Sequence, residues 1–341
     1  SSKKYNGPRL WLESTPVPAM NRKLNAEANP FQEYLMGVRY IQTTKDKLPA
    51  GYTVLKEKNG TLLAENKNVL PLAYGSTSLI SQKTFENLSF PHTLSALTSG
   101  TIVPDNDGNI RTDADAFSSD AVSYALPDDF FARPSSKAFN TKKELPVPLE
   151  NEVLILSFDV RYSGRTDIDI TINGVRNRLS GSTAPYPNRN TLFTYMISQN
   201  TPLKELSLSF SEGNYKIGNV KSWRFPVSSF QKQAITSFIP FPTEGKELLH
   251  GTITMEEDGY FVTSLPMSRG YHAYVDGKKT KPETVNQTFV GFPLKKGTHE
   301  VTLSFHAPGK VFGCMCSCLA FFYLAGSGCL VIRMASSTGL S

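Results

Sequence analysis

Asp167-Ile168-Asp169-Ile170-Thr171-Ile172 alternates polar and apolar residues without a break and runs straight into Asn173-Gly174. Period-two alternation puts Ile168, Ile170 and Ile172 on one face of a strand, and Asn-Gly offers the two positive-φ positions that a two-residue hairpin turn needs. Upstream, Val153-Leu154-Ile155-Leu156-Ser157-Phe158-Asp159-Val160 reads as a further strand, and Leu192–Ile197 and Leu206–Phe210 extend the pattern downstream. Short strands at this spacing, separated by turn residues, predict an antiparallel β-sandwich unit over 150–229. A second such unit is expected over 230–310, from Gly259–Leu265, Ala273-Tyr274-Val275 ahead of the Asp276-Gly277 turn, and His299–Phe305.

Residues 1–149 read as an N-terminal mixed α+β region. Pro8, Pro16, Pro18 and Pro30 interrupt its first fifty residues, and the apolar run Tyr34–Ile41 reads as a strand. Tyr52–Leu55 and Thr61–Ala64 flank Asn59-Gly60 as a hairpin, Leu70–Tyr74 continues the strands, and a short helix is expected near Thr93–Thr98. Residues 101–149 read as a long acidic connection with Asp105, Asp107, Asp113, Asp115, Asp120, Asp128 and Asp129. Their spacing fails the EF-hand pattern, because the first slot counted back from Gly108 is Val103. The expected class is thus mostly β: a mixed region, two antiparallel β-sandwich (jelly-roll-like) units and a C-terminal transmembrane helix.

Composition supports that class. The 341 residues are 39% hydrophobic and only 19% charged, which suits buried cores joined by turns rather than long solvated helices. The net charge of +6 is spread thinly and no dense Lys/Arg block occurs, which argues against a nucleic-acid partner and leaves room for an anionic one. All four cysteines, Cys314, Cys316, Cys318 and Cys329, lie in a late apolar run, at a spacing unlike that of zinc ligands. No metal or other cofactor is expected.

From Val311 to Ile332 the chain carries 22 residues without a charge, Asn, Gln, His or Pro. As a helix they would extend roughly 33 Å, enough for a hydrocarbon core of ~30 Å. Residues 311–332 are therefore expected to span a membrane, followed by a tail at 333–341. Lys295, Lys296 and Lys310 before the span outnumber Arg333 after it, so the positive-inside rule mildly opposes an external position for the large region. Ser1-Ser2-Lys3-Lys4-Tyr5 opens without a Met or an apolar stretch, and the chain reads as a piece of something longer.

An ordered set of short motifs carries a family resemblance. Ser264-Leu265-Pro266-Met267-Ser268-Arg269-Gly270-Tyr271 leads to Val275-Asp276-Gly277-Lys278, Phe289-Val290-Gly291, Gly297-Thr298-His299-Glu300-Val301 and Ala307-Pro308-Gly309. Earlier come Leu35–Ile41 and Glu65–Gly75. Together they resemble the C-terminal part of the bacterial YfhO family of multi-pass membrane proteins, with Tyr271 standing where the family pattern has Trp. The resemblance implies a lipid-linked sugar transferase of the GT-C-like kind, acting on lipoteichoic acid outside Gram-positive cells. It further implies a catalytic acid among N-terminal membrane helices that this chain does not include. The chain would be an extracytoplasmic, non-catalytic domain at the cell membrane that positions polymer beside the remaining transmembrane helices. A membrane-anchored carbohydrate-binding or adhesion module without an enzymatic parent is the alternative, and a soluble surface protein with an artificial tail is a third.

For ligand binding the residues point to Arg176, Asn177 and Arg178 with Tyr186, Asn188 and Arg189. Guanidinium forks grip phosphate oxygens, amides both donate and accept toward sugar hydroxyls, and Tyr186 could stack on a sugar ring; a polar hairpin loop would look the same. No catalytic residue is expected: the five histidines accompany neither a Gly-x-Ser-x-Gly elbow nor a His-Glu-x-x-His pair.

Overall fold

The computed structural model describes residues 29–105 and 119–337, with side chains as far as Leu324, Val311 excepted. Asp107, Asp113 and Asp115 of the acidic connection lie outside them.

The first element corrects an expectation. Tyr34–Ile41 does not form one strand, because Asn29 starts a helix ahead of it. The Asn29 Oδ1 accepts from the amides of Phe31 (3.1 Å) and Gln32 (3.2 Å), Pro30 fills the first helical position, and Gly37 ends the helix at φ 67°. The result is α1 (Pro30–Met36), and only from Tyr40 does the chain extend, into β1 (Tyr40–Thr43). With β2 (Thr53–Lys58) and β3 (Thr61–Glu65), joined through the Asn59-Gly60 hairpin, β1 makes a small sheet ordered β1-β3-β2.

The chain continues through β4 (Ala73–Ser76), β5 (Leu79–Ser81), α2 (Gln82–Glu86), α3 (His92–Ser99) and β6 (Thr101–Val103), the last pairing in parallel with β5. The middle sandwich packs two four-stranded antiparallel sheets face to face. One holds β8 (Phe139–Leu149), β10 (Ile168–Ile172), β11 (Val175–Leu179) and β13 (Leu203–Phe210), in the order β11-β10-β13-β8. The other holds β7 (Val122–Ser123), β9 (Glu152–Arg161), β12 (Leu192–Ile197) and β14 (Lys216–Pro226), in the order β12-β9-β14-β7. The second unit is one continuous nine-stranded sheet whose two wings share a core around Ile253, Phe261, Phe292 and Leu303. Its strands are β15 (Ile235–Pro240), β16 (Glu247–Met255), β17 (Gly259–Pro266), β18 (Tyr271–Val275), β19 (Lys278–Thr280), β20 (Glu283–Val285), β21 (Phe289–Leu294) and β22 (Gly297–Phe305), with β4 between β15 and β17.

Strand pairing thus crosses the divisions 1–149, 150–229 and 230–310. β4 is a central strand of the last unit, and β7 and β8 belong to the middle one. The stretch 101–149 is therefore not all connection. Its eleven-residue β8 escaped notice because Pro146 and Pro148 read as breakers, yet an edge strand tolerates prolines whose missing N–H would have faced solvent.

Between the two β units lies a central layer. Val153 and Ile155 of β9 and Phe225 of β14 reach into it from one side, and Tyr260 and Val262 of β17 from the other. The ring of α1's Phe31 lies 4.9 Å from Phe225 and 5.0 Å from Phe230, centroid to centroid. At the chain's end α4 (Lys310–Ser337) extends 28 residues from the last strand. Among the described residues, however, no helix is long and apolar enough to cross a membrane, so the span expected over 311–332 gains no support there.

Two stability predictions follow from these contacts. Phe31 is fully buried between elements of both units, and Phe31→Ala is expected to cost about 3–5 kcal/mol, read as a lowered denaturant midpoint. At Gly259 a Cβ would fall on the carbonyl oxygen of Ser76 in the neighbouring strand. Gly259→Val should therefore lower the melting temperature, at a cost of about 1–3 kcal/mol, whereas the same change at exposed Gly218 of β14, with open space around it and no positive φ, leaves packing untouched.

Candidate functional site

Antiparallel register builds the site from four strands. Arg176 on β11 pairs with Thr171 on β10, Thr171 pairs with Ser209 on β13, and Ser209 pairs with Asn140 on β8. Because side chains on one face recur every second residue, these four form a polar row across the whole outer face of the sheet, opposite the sandwich core. Ser207 and Lys142, themselves a cross-strand pair, stand in the next row. The inward neighbours Leu206, Leu208, Phe210, Ile170 and Ile172 hold the strands from beneath and are buried.

Asp169 organises the arginine edge of this face. It accepts from Arg176 through Nε (2.8 Å) and Nη2 (2.6 Å), and from Arg178 through Nε (3.0 Å) and Nη2 (3.3 Å). Arg178 Nη1 also reaches Asp167 at 3.3 Å. Burial by itself pushes the Asp169 carboxyl up, but the hydrogen bonds and charges of the two arginines outweigh it and hold the group below the usual carboxylate range. Beside Asp169 a shallow groove of about 290 Å³ passes Thr171, Ser209 and Asn140.

At the hairpin's turn the polar face opens into a cleft of about 1210 Å³. Asn173, Gly174, Glu205, Ser207 and Glu144 line it from the sandwich, and Pro30, Glu33, Asp46 and Lys47 from α1 and the turn after β1. Its walls mix hydroxyl, amide and charged groups with aliphatic surface from Leu145, Val175, Met196 and Ile197 and include no aromatic side chain, a lining that can take an amphipathic, hydroxyl-bearing ligand.

The six residues expected to bind ligand are divided by the fold. Arg176 and Arg178 stand together on the outer face. Asn177 alternates inward, is fully buried, and donates through Nδ2 to the Thr194 carbonyl in the opposite sheet (2.9 Å). Asn188 staples its loop: Oδ1 accepts from the Ser180 amide (3.0 Å) and Nδ2 donates to the Arg178 carbonyl (2.8 Å). Tyr186, 81% exposed, and Arg189 project from that loop, beyond the end of the hairpin away from the cleft. Thr171, Ser209, Ser207, Asn140 and Lys142 were not anticipated as a surface. The alternation Leu206-Ser207-Leu208-Ser209-Phe210 already marks the serines as outward, but nothing local says that β8 lies alongside. Among the described residues no three His, Cys, Asp or Glu side chains converge on a metal-sized site.

A family model described as "Bacterial membrane protein YfhO" matches residues 19–317. Over 126 residues, 35% of this chain, the sequence is 20% identical to the "Uncharacterized protein YfhO" of Bacillus subtilis (strain 168), and the match covers 15% of that protein. With the family model matching most of its length, the chain belongs to the YfhO family of bacterial membrane proteins.

Proposed function

We propose that this chain is the extracytoplasmic, non-catalytic domain of a larger YfhO-family sugar transferase acting on lipoteichoic acid, and that it positions the anionic polymer along the outer face of the middle sandwich. The observation that carries this reading is the polar row Arg176–Thr171–Ser209–Asn140, with its arginine edge at one end and the cleft beside it. A polyol-phosphate chain with sugar substituents needs cations for phosphate and paired donors and acceptors for hydroxyls, and this face offers both. Residues 311–332, uncharged throughout and about 33 Å long as a helix, are read as the membrane anchor that keeps the domain near a membrane-embedded catalytic site. Tyr186 and Arg189, on the loop beside the hairpin, are the further contacts this reading assigns to polymer.

The test is binding of purified lipoteichoic acid to the chain across a salt series. Saturable binding that weakens with salt is expected, and Arg176→Ala combined with Arg178→Ala should lower affinity about tenfold, or ~1.4 kcal/mol. Binding that is absent at low salt, or indifferent to both substitutions, would sink the proposal. Asp169 supplies a second, opposite test, because it competes with phosphate for the same two guanidinium groups. Asp169→Asn should tighten polymer binding several-fold even as it loosens the hairpin.

The pH dependence follows from the same carboxylate. Its folded value is depressed, so its contribution to stability is present above the unfolded carboxylate value and is lost as pH falls through the lower folded one. Thermal stability from this source should be flat between about pH 8 and 5 and decline below about pH 4, and Asp169→Asn should flatten that acid limb.

A further inference from the structure

The last strand of the nine-stranded sheet delivers the chain to α4 within four residues, and the surface around that exit differs from the rest of the sheet. Phe305, at the end of β22, donates its amide to the Lys246 carbonyl (3.2 Å), and the His306 amide donates to the Gly270 carbonyl (2.8 Å). Lys246 and Arg269 therefore flank the exit on its two sides, both exposed, and Lys310 opens the helix immediately beyond. Three cations thus ring the root of α4. Of the nearby acids, Glu244 is exposed, the Glu247 carboxylate accepts from the Glu244 amide (2.9 Å) and faces His250 at 3.8 Å, and the exposed Glu300 carboxylate pairs with His250 Nε2 at 2.9 Å.

The same end of the sheet exposes large apolar side chains. A bulge in the β16–β22 pairing between Glu247 and Leu249 leaves Leu248 between them, 45% exposed. In the adjoining β15 and its exit, Ile239 is 61% and Phe241 41% exposed, with the Phe241 amide bonded to the His250 carbonyl on β16 (2.7 Å). Scattered exposed apolar residues need no explanation, but these three are brought to one margin by strand pairing, with the cations beside them. Apolar side chains beneath a fringe of Lys and Arg form the pattern that settles at the boundary between lipid headgroups and acyl chains.

We infer that this margin of the C-terminal sheet is a lipid-docking surface: Leu248, Phe241 and Ile239 rest in the headgroup–acyl boundary around α4, and Lys246, Arg269 and Lys310 meet the phosphates of anionic lipids. The inference rests on the reading of α4 as an anchor, and it adds that the folded domain lies against the bilayer on a defined side. His272 and His306, whose rings sit 4.8 Å apart at the same exit, would then lie within the headgroup layer. Docking on this margin would fix the height and tilt of the middle sandwich, which a flexible tether would leave free.

The experiment uses the full chain reconstituted into phosphatidylcholine vesicles containing phosphatidylglycerol and brominated acyl chains. Leu248→Trp is compared with Glu257→Trp, in the exposed turn beyond the far end of the same strand, nine positions and ~30 Å from Leu248. The Leu248→Trp fluorescence is expected to be blue-shifted and quenched at least about twofold more by bromine than that of Glu257→Trp. Lys246→Glu with Arg269→Glu should reduce that quenching in phosphatidylglycerol vesicles and leave it little changed in phosphatidylcholine alone. Equal quenching at both positions in vesicles that carry the chain through flotation would overturn the docking surface and leave the anchor standing. Failure of the chain to float with vesicles would overturn both.

Discussion

Gln233 donates from one buried amide to Ser76 (3.2 Å) and Thr101 (2.9 Å), and its carbonyl accepts from the Tyr34 hydroxyl (3.3 Å). Those three partners come from β4, β6 and α1, and Gln233 lies in the segment joining the two β units. A buried amide left without partners costs about 1–3 kcal/mol, so none of these elements can shift alone without exposing or stranding a polar group. Around the network pack Phe31, Phe225 and Phe230, together with Tyr260 and Val262 from the far unit. The central layer thus fixes the relative position of the two β units and hence where the polar outer face points.

That arrangement explains two strands that are apolar on both faces. Residues 153–158 of β9 are buried without interruption, with Leu154, Leu156 and Phe158 in the middle sandwich and Val153 and Ile155 in the central layer. In β17, Phe261 faces the nine-stranded sheet's own core while Tyr260 and Val262 face the central layer. A strand at a molecular surface alternates, whereas a strand forming a wall between two cores does not. β10 and residues 205–210 of β13, whose outer faces meet solvent, keep strict alternation, and that difference leaves a polar platform on the outer face of the middle sandwich.

The arginine edge is governed by competition rather than by strength. Exposed ion pairs contribute only about 0.2–1 kcal/mol each, so the contacts of Asp169 with Arg176 and Arg178 matter less for stability than for placement. One carboxylate holds two guanidinium groups flat on the sheet and spends part of their hydrogen-bonding capacity, and Asp167 takes up more of Arg178. An anionic ligand gains those donors only by sharing or displacing Asp169. A cluster of arginines in sequence is therefore a weaker attraction than its formal charge suggests.

Much of the molecule was legible from local pattern. The hairpins at Asn59-Gly60, Asn173-Gly174 and Asp276-Gly277, the strands around them, the short helix α3 and the antiparallel β class follow from period-two alternation and from turn residues that accept positive φ. The pairing of Arg176 with Arg178 on one face follows from the same period. Local pattern failed where capping outweighed apolar content, as at Asn29 and Pro30 ahead of α1, and where prolines disguised the edge strand β8. It also could not say that Asn177, turned inward by that period, bonds the Thr194 carbonyl of the opposite sheet, or that Asn188 serves its own loop. Which strands lie side by side was decided by tertiary structure alone: β4 enters a sheet built from residues more than 150 positions later, and Asn140 reaches Ser209 across 69 positions. Short-range chemistry determines what each segment can become, because turns, caps and alternation act within a few residues. The polar outer face and the central layer depend on contacts between distant segments, which form only when apolar faces from several of them are buried together.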